Sequence, residues 1–422
     1  MSVEALDHPP QAYPRTVIAP AVIEWIRLQH RGTAEDARGG LVDLIVLDVQ
    51  PDIERHSGPI RPRNRRSLRD RAVITGFGLG SLRALHDRNL LPQVTVVSGI
   101  SGGSLLAAMW AYGPERFDEF DDSVTTLLRG GLQTELARRA FTPRAAGRAI
   151  ASAVRALASK EGRSYSRTDA LVDALSSRNF GAKLITDVTH AGIETVISST
   201  DMRTGNAVRF GSALSASSPF GTILDEVTVA EAVAASAAFP VLLPALCRSY
   251  EFLGRDGDRR SERLSLTDGG VYDNLGLAPL LPGRSTKYSS HVFDLDYIVA
   301  VDAGRGRTER SAARFMAGRL AQSFDITHTK SQDSARSRIH LAREHAEVKG
   351  IVHVYLGMRD ERLPMPLADL VPRARVQNYP TNFAPMRDVD LDAIVKRPGC
   401  DGGSQTCEGW ESWQHHGSTA RS

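Results

Sequence analysis

Apolar positions along the chain follow two rhythms: short β-branched runs, and longer stretches with an apolar residue every three or four positions. Strand-like runs lie at Leu41–Val49, Val94–Val97, Glu194–Thr200, Ala207–Phe210, Arg263–Asp268, Tyr297–Asp302 and Ile351–Leu356. Between the third and fourth, Gly205 and Asn206 supply the turn of a β-hairpin. Helical spacing fits Leu105–Trp110, most of 113–180, Thr228–Ala238 and the region leading to about His345. Thr228 and Glu231 have the separation of a helix-capping box. Ala72–His86 reads as a short strand, a glycine-rich turn at Gly76, Gly78 and Gly80, and then an amphipathic helix carrying Leu82 and Leu85. Strands that alternate with helices predict an α/β fold.

Composition narrows this picture moderately. The 422 residues are 41% hydrophobic and 24% charged, ordinary values for a globular chain long enough for one large domain with additions. Three cysteines, Cys247, Cys400 and Cys407, form neither a disulfide framework nor a zinc pattern, so a reducing compartment is expected. Glu4 and Asp7 interrupt the start and no apolar signal core follows. Val227–Cys247, the most apolar long stretch, contains Glu231, Pro240 and Pro244 and is a core segment. A cytoplasmic protein, in contact with membranes at most from one side, is the expectation.

The net charge of +3 is unevenly spread. Six arginines crowd Arg61–Arg71, where a solvated linker is the simplest account, and the absence of interleaved aromatics argues against nucleic acid. Eight basic residues between Arg138 and Arg167 share a segment with Ile150, Val154 and Leu157 at helical spacing. Such a helix either packs its apolar stripe inward or lies on an anionic membrane. The expected layout is a peripheral extension over 1–70, a main domain over 71–396 with a helical insertion at about 113–180, and a loosely docked tail over 397–422.

Chemistry concentrates in two stretches. In the first, a β-branched strand runs into Gly99-Ile100-Ser101-Gly102-Gly103-Ser104 and continues as a helix. A serine at a sharp strand-to-helix turn is the layout of a nucleophile elbow: the turn lifts Oγ out of the sheet, and the helix N-terminus lies where negative charge develops. In the second, a strand delivers Asp268 to Gly269 and Gly270. Taken alone it is a tight Asp-Gly turn; paired with Ser101, Asp268 becomes a candidate general base. The turn at Gly76, Phe77 and Gly78 would then donate backbone N–H groups to an oxyanion, with Gly102 as the second half of the hole.

Together these stretches resemble the patatin-like phospholipases, Ser-Asp lipid acyl hydrolases, from about Val73 to Met386. Gly99–Ser104 is similar to that family's G-x-S-G-G-S elbow, Asp268-Gly269-Gly270 to its D-G-G motif, and Ala235–Pro240 to its A-S-x-A-x-P segment. Thr200–Gly205 and Tyr379–Asn382 resemble two weaker features. The resemblance implies a three-layer α/β/α sandwich around a central, mostly parallel sheet. It also implies Ser101 as nucleophile, Asp268 as base, an acyl-enzyme, a lipid or phospholipid substrate and no cofactor. Gly99, Gly103, Gly269 and Gly270 support the two motifs. The segment before the Gly80–Leu85 helix is shorter than the family's oxyanion loop and lacks its basic residue, so a weakened, lipid-binding relative is one alternative. A Ser-His-Asp hydrolase using His340, His345 or His353 is another, and a nucleotide-binding turn at Gly76–Gly80 is the most distant.

Overall fold

The computed structural model describes residues 44–47, 72–131, 165–240, 243–304, 315–362, 371–376, 379 and 385–402. In chain order its elements are β1 (Leu44–Leu47), α1 (Ala72–His86), β2 (Val96–Gly99), α2 (Gly102–Ala111), α3 (Phe117–Gly130), α4 (Arg167–Leu175), β3 (Glu194–Asp201), β4 (Ala207–Gly211) and β5 (Ala216–Ser217). There follow β6 (Gly221–Ile223), α5 (Val229–Ser236), β7 (Leu246–Leu253), β8 (Arg259–Asp268), β9 (Tyr297–Asp302), α6 (Met316–Glu344), β10 (Gly350–Tyr355) and α7 (Asp388–Gly402).

The ten strands form one sheet in the order β10-β9-β1-β2-β3-β4-β5-β6-β7-β8, with β8 pairing back onto β3. From β10 to β3 every pairing is parallel; from β3 to β8 every pairing is antiparallel, and the return of β8 closes that half on itself. The sheet is therefore mixed, which corrects the expected mostly parallel one: parallel order covers one half, and an antiparallel ring makes up the other.

Alternation along the parallel strands explains why that half is covered on both faces. Val97, Val299 and Val301 enter a core built with α1, α2, α3, α5 and α7. Val96, Ile298 and Ala300 enter a second core with Leu275, Leu280 and Ile339. The ribbon of β7 and β8 is apolar on one side only: Leu246, Tyr250 and Phe252 are buried while Ser249, Glu251 and Leu253 are exposed.

The hairpin of β3 and β4 forms as its pattern requires, with Gly205 at φ +69° in the turn. Thr228 caps α5, its side chain accepting the Glu231 N–H. Ala72–His86 departs from expectation. It is one uninterrupted helix, and Gly76 and Gly80 serve packing rather than a turn. A Cβ on Gly80 would overlap the Val395 carbonyl of α7, 2.8 Å from its carbon, and one on Gly76 would press on Ile394 at 3.3 Å. Glycine lets the two helix backbones approach where β-branched Val73, Ile74 and Thr75 suggested a strand.

The chain's last described helix also runs past the expected domain end at 396. Arg397 is fully buried and donates to Asp360 at 2.6 Å and to the carbonyls of Val371 and Met358 at 2.6 and 2.8 Å. Residue 397 therefore belongs to the folded unit. The Arg61–Arg71 run and almost all of the basic Arg138–Arg167 segment lie outside the described residues, as do Pro380–Asn382, most of the 1–70 extension and residues 403–422. No described helix is long and apolar enough to cross a membrane.

Candidate active site

The elbow forms at the end of β2. Ser101 has φ +54° and ψ −120°, a backbone state that non-glycine residues adopt only where their surroundings impose it. Gly99 permits the sharp reversal, because a Cβ there would sit 2.7 Å from the Ser104 Cα and 3.0 Å from the Ala107 Cβ. Within the turn Ser104 Oγ donates to the Ser101 carbonyl at 2.6 Å, and Gly103 N–H donates to the Ile100 carbonyl at 2.8 Å. Gly102 opens α2, so its N–H is among those a helix leaves without an intrahelical acceptor. Thr75 Oγ1 of α1 holds the Gly102 carbonyl at 3.3 Å.

Register brings the second motif to this turn. β2 ends with Gly99 opposite Ile197 of β3. β4 occupies the other edge of β3, so β8 must share the edge used by β2; it arrives from the opposite direction and ends with Asp268 opposite Ser199. The two strands thus meet head to head, two β3 residues apart, or about 7 Å of strand. Gly269 then lies against the Ser198 carbonyl and Ile100: a Cβ there would overlap that carbonyl and touch Ile100 Cγ2 at 3.4 Å. Asp268 Oδ1 accepts the Gly270 N–H at 2.9 Å, and Ser98 Oγ ties β2 to the Gly276 carbonyl at 2.9 Å.

A third segment, whose role the sequence did not disclose, connects the Ser101 and Asp268 turns. Ser236, at the end of α5, accepts the Ser101 N–H on its Oγ at 2.9 Å. Two residues on, the Ala238 carbonyl accepts the Asp268 N–H at 3.0 Å and the Thr267 hydroxyl at 2.8 Å. Its place in the A-S-x-A-x-P-like stretch was the one available signal. Ser101 itself is fully buried and, among the described residues, its Oγ has no hydrogen-bond partner. Buried hydroxyls are normally satisfied; Ser101 combines an unmet hydroxyl with a backbone held at positive φ.

Gly76, Phe77 and Gly78 are corrected as oxyanion donors. They lie inside α1, where each N–H is directed at the carbonyl four residues back. The histidine alternative is also disfavoured by geometry. Gly99 is level with Leu47, Val301 and Val354 through successive pairings, so His353 on β10 is three strand spacings away, roughly 14 Å. Its Nε2 instead faces the buried Asp302 at 3.3 Å, and His340 packs beside it. Arg336 holds the same carboxylate at 2.5 Å and, despite burial, its charge and the histidine hold the Asp302 carboxyl below the usual carboxylate range. Among the described residues no three His, Cys, Asp or Glu side chains are grouped to hold a metal ion.

Residues 74–281 match the family model of the patatin-like phospholipases. No curated protein matches the chain. Among solved structures, human GIVD cytosolic phospholipase A2 is similar at 13% identity and a TM-score of 0.50, over 96% of this chain and 65% of that one. VipD from Legionella pneumophila aligns at 14% identity over 81% of this chain and 65% of that one, with a TM-score of 0.36. The chain thus spans less than two thirds of the length of either, and at these identities the first likeness concerns the fold alone.

Proposed function

Because residues 74–281 form a patatin-like phospholipase domain, we propose that the chain hydrolyses a lipid carboxylic ester through Ser101 and Asp268. Ser101 Oγ attacks the acyl carbonyl as Asp268 takes its proton, and the resulting oxyanion accepts a hydrogen bond from the Gly102 N–H. Collapse expels the alcohol, which receives the proton from Asp268. A water deprotonated by Asp268 then attacks the acyl-enzyme, and Ser101 regains its hydrogen as the fatty acid leaves. The reaction uses no metal or organic cofactor. The observation that carries this reading is the head-to-head meeting of β2 and β8 on one edge of β3, which leaves the Ser101 elbow beside the Asp268 turn. Among the described residues Ser101 Oγ makes no hydrogen bond; in hydrolases such contacts commonly tighten only on substrate binding. Hydrolysis of a short-chain ester or phospholipid should vanish in both Ser101→Ala and Asp268→Asn, and activity surviving either change would sink the proposal.

A second reading, a lipid-binding protein without turnover, draws on one observation: Gly76–Gly78 sit within a helix and leave Gly102 as the one assigned oxyanion donor. Losing a donor costs about 10²–10³ in rate. Purified protein that binds liposomes yet resists a serine-reactive fluorophosphonate would favour this reading; stoichiometric labelling would reject it.

A further inference from the structure

Arg209 is buried in a way that the chemistry above does not use. It lies on β4 opposite Ser198 of β3 and is 6% exposed. Among the described residues its guanidinium makes no hydrogen bond and no ion pair, and its Nε is enclosed without a partner. Buried arginines are otherwise almost always paired, since five donors lose water at once. The Ser198 hydroxyl across the ladder is enclosed and partnerless in the same way. Arg284 is near enough for its charge to act on Arg209. It spends its two terminal nitrogens on the Ala278 carbonyl and Ser289 Oγ, which leaves its own Nε enclosed without an acceptor.

Neighbouring groups do not make up the deficit. Asp273 is the nearby carboxylate, but it accepts the Ala278 N–H at 2.6 Å and lies beyond ion-pair distance of Arg209. His291 bonds the Leu214 carbonyl, and burial beside the two arginines holds it neutral. Donors and positive charge exceed acceptors and negative charge, behind the strand whose Ser199 faces Asp268.

We propose that Arg209, together with Arg284 and Ser198, forms a binding site for a phosphate-type anion. Several acceptor oxygens on one tetrahedral centre suit two guanidinium groups and a hydroxyl, and the fork of arginine selects such groups. The phosphate could belong to the head group of a phospholipid, an assignment that rests on the lipase reading above, or to a free phosphate bound for stability; the experiment separates the two.

The test compares wild type, Arg209→Gln and Ser198→Ala on a phospholipid and on an uncharged ester of the same acyl chain, and follows melting with added inorganic phosphate. For a head-group site, Arg209→Gln lowers kcat/KM for the phospholipid about 10- to 100-fold, mostly through KM, and leaves the uncharged ester within about twofold; Ser198→Ala has a smaller effect of the same sign. For a free-phosphate site, the substrate ratio is unchanged, but phosphate raises the Tm of wild type and not of Arg209→Gln. An unchanged ratio together with no phosphate-dependent Tm difference overturns the proposal. If wild type hydrolyses neither substrate, the lipase reading fails and the melting arm alone decides this one. Should Arg209→Gln not fold, Arg284→Gln at the half-buried edge repeats both arms.

Discussion

Ser236→Ala isolates one bond in the link between the Ser101 and Asp268 turns. The substitution removes a single oxygen from a fully buried residue, and with it the acceptor for the Ser101 N–H at 2.9 Å. A buried donor left without a partner costs about 1–3 kcal/mol. That bond helps hold Ser101 at φ +54°, a conformation that itself carries of order 1–3 kcal/mol of strain. Without it the turn relaxes and Oγ leaves the position that the elbow gives it. If that relaxed state is inactive, the same 1–3 kcal/mol appears in kcat as a loss of about 5- to 150-fold, with KM nearly unchanged. Steady-state hydrolysis of a short-chain nitrophenyl ester, run beside thermal unfolding of the same samples, reads both quantities. Ser236→Thr keeps the acceptor and should recover most of the rate. A kcat for Ser236→Ala within twofold of wild type, in protein that is folded at the assay temperature, would refute the reasoning.

Other expectations follow from the packing and from the charges. Gly269→Ala places a methyl into the Ser198 carbonyl, so it should abolish turnover and cost about 3 kcal/mol in denaturant unfolding; unchanged activity would mean that the Asp268 turn can move freely. Gly80→Ala should separate α1 from α7 and lower stability by a comparable amount in denaturant unfolding; an unmoved midpoint would mean that the two helices do not pack at this glycine. Truncation after Lys396 removes Arg397 from Asp360 and should destabilise by about 3–5 kcal/mol, whereas a dispensable tail would leave the Tm unmoved. His291 is held neutral in the fold, its pKa pushed down by burial to about 4, while the unfolded side chain protonates near pH 6.5. Stability should therefore fall as pH drops from about 6.5 to 4, by roughly 3 kcal/mol from this group, and His291→Gln should flatten that part of the stability profile.

Much of the site could be read from local pattern. The β-branched run before Gly99, the glycines around Ser101 and the short strand into Asp268 each carry their conformation in neighbouring residues. What joins them is not local. The pairing of β8 with β3 spans more than sixty residues of chain, and nothing in Arg263–Asp268 specifies whether its partner runs parallel or antiparallel. The mixed sheet was hidden for the same reason. Ala72–His86 was misread because Val73, Ile74 and Thr75 favour strands and three glycines favour turns, whereas contact with α7 and α3 overrides both preferences. The Ser236 hydroxyl and the partnerless Arg209 are products of tertiary placement alone.

The central claim is that Asp268 activates Ser101. Fluorophosphonate labelling, with the modified peptide located by mass spectrometry, tests it most directly because it needs no knowledge of the natural substrate. The account predicts one adduct per chain, on Ser101, and a labelling rate that collapses in Asp268→Asn. An adduct elsewhere, or Asp268→Asn labelling at the wild-type rate, would contradict it.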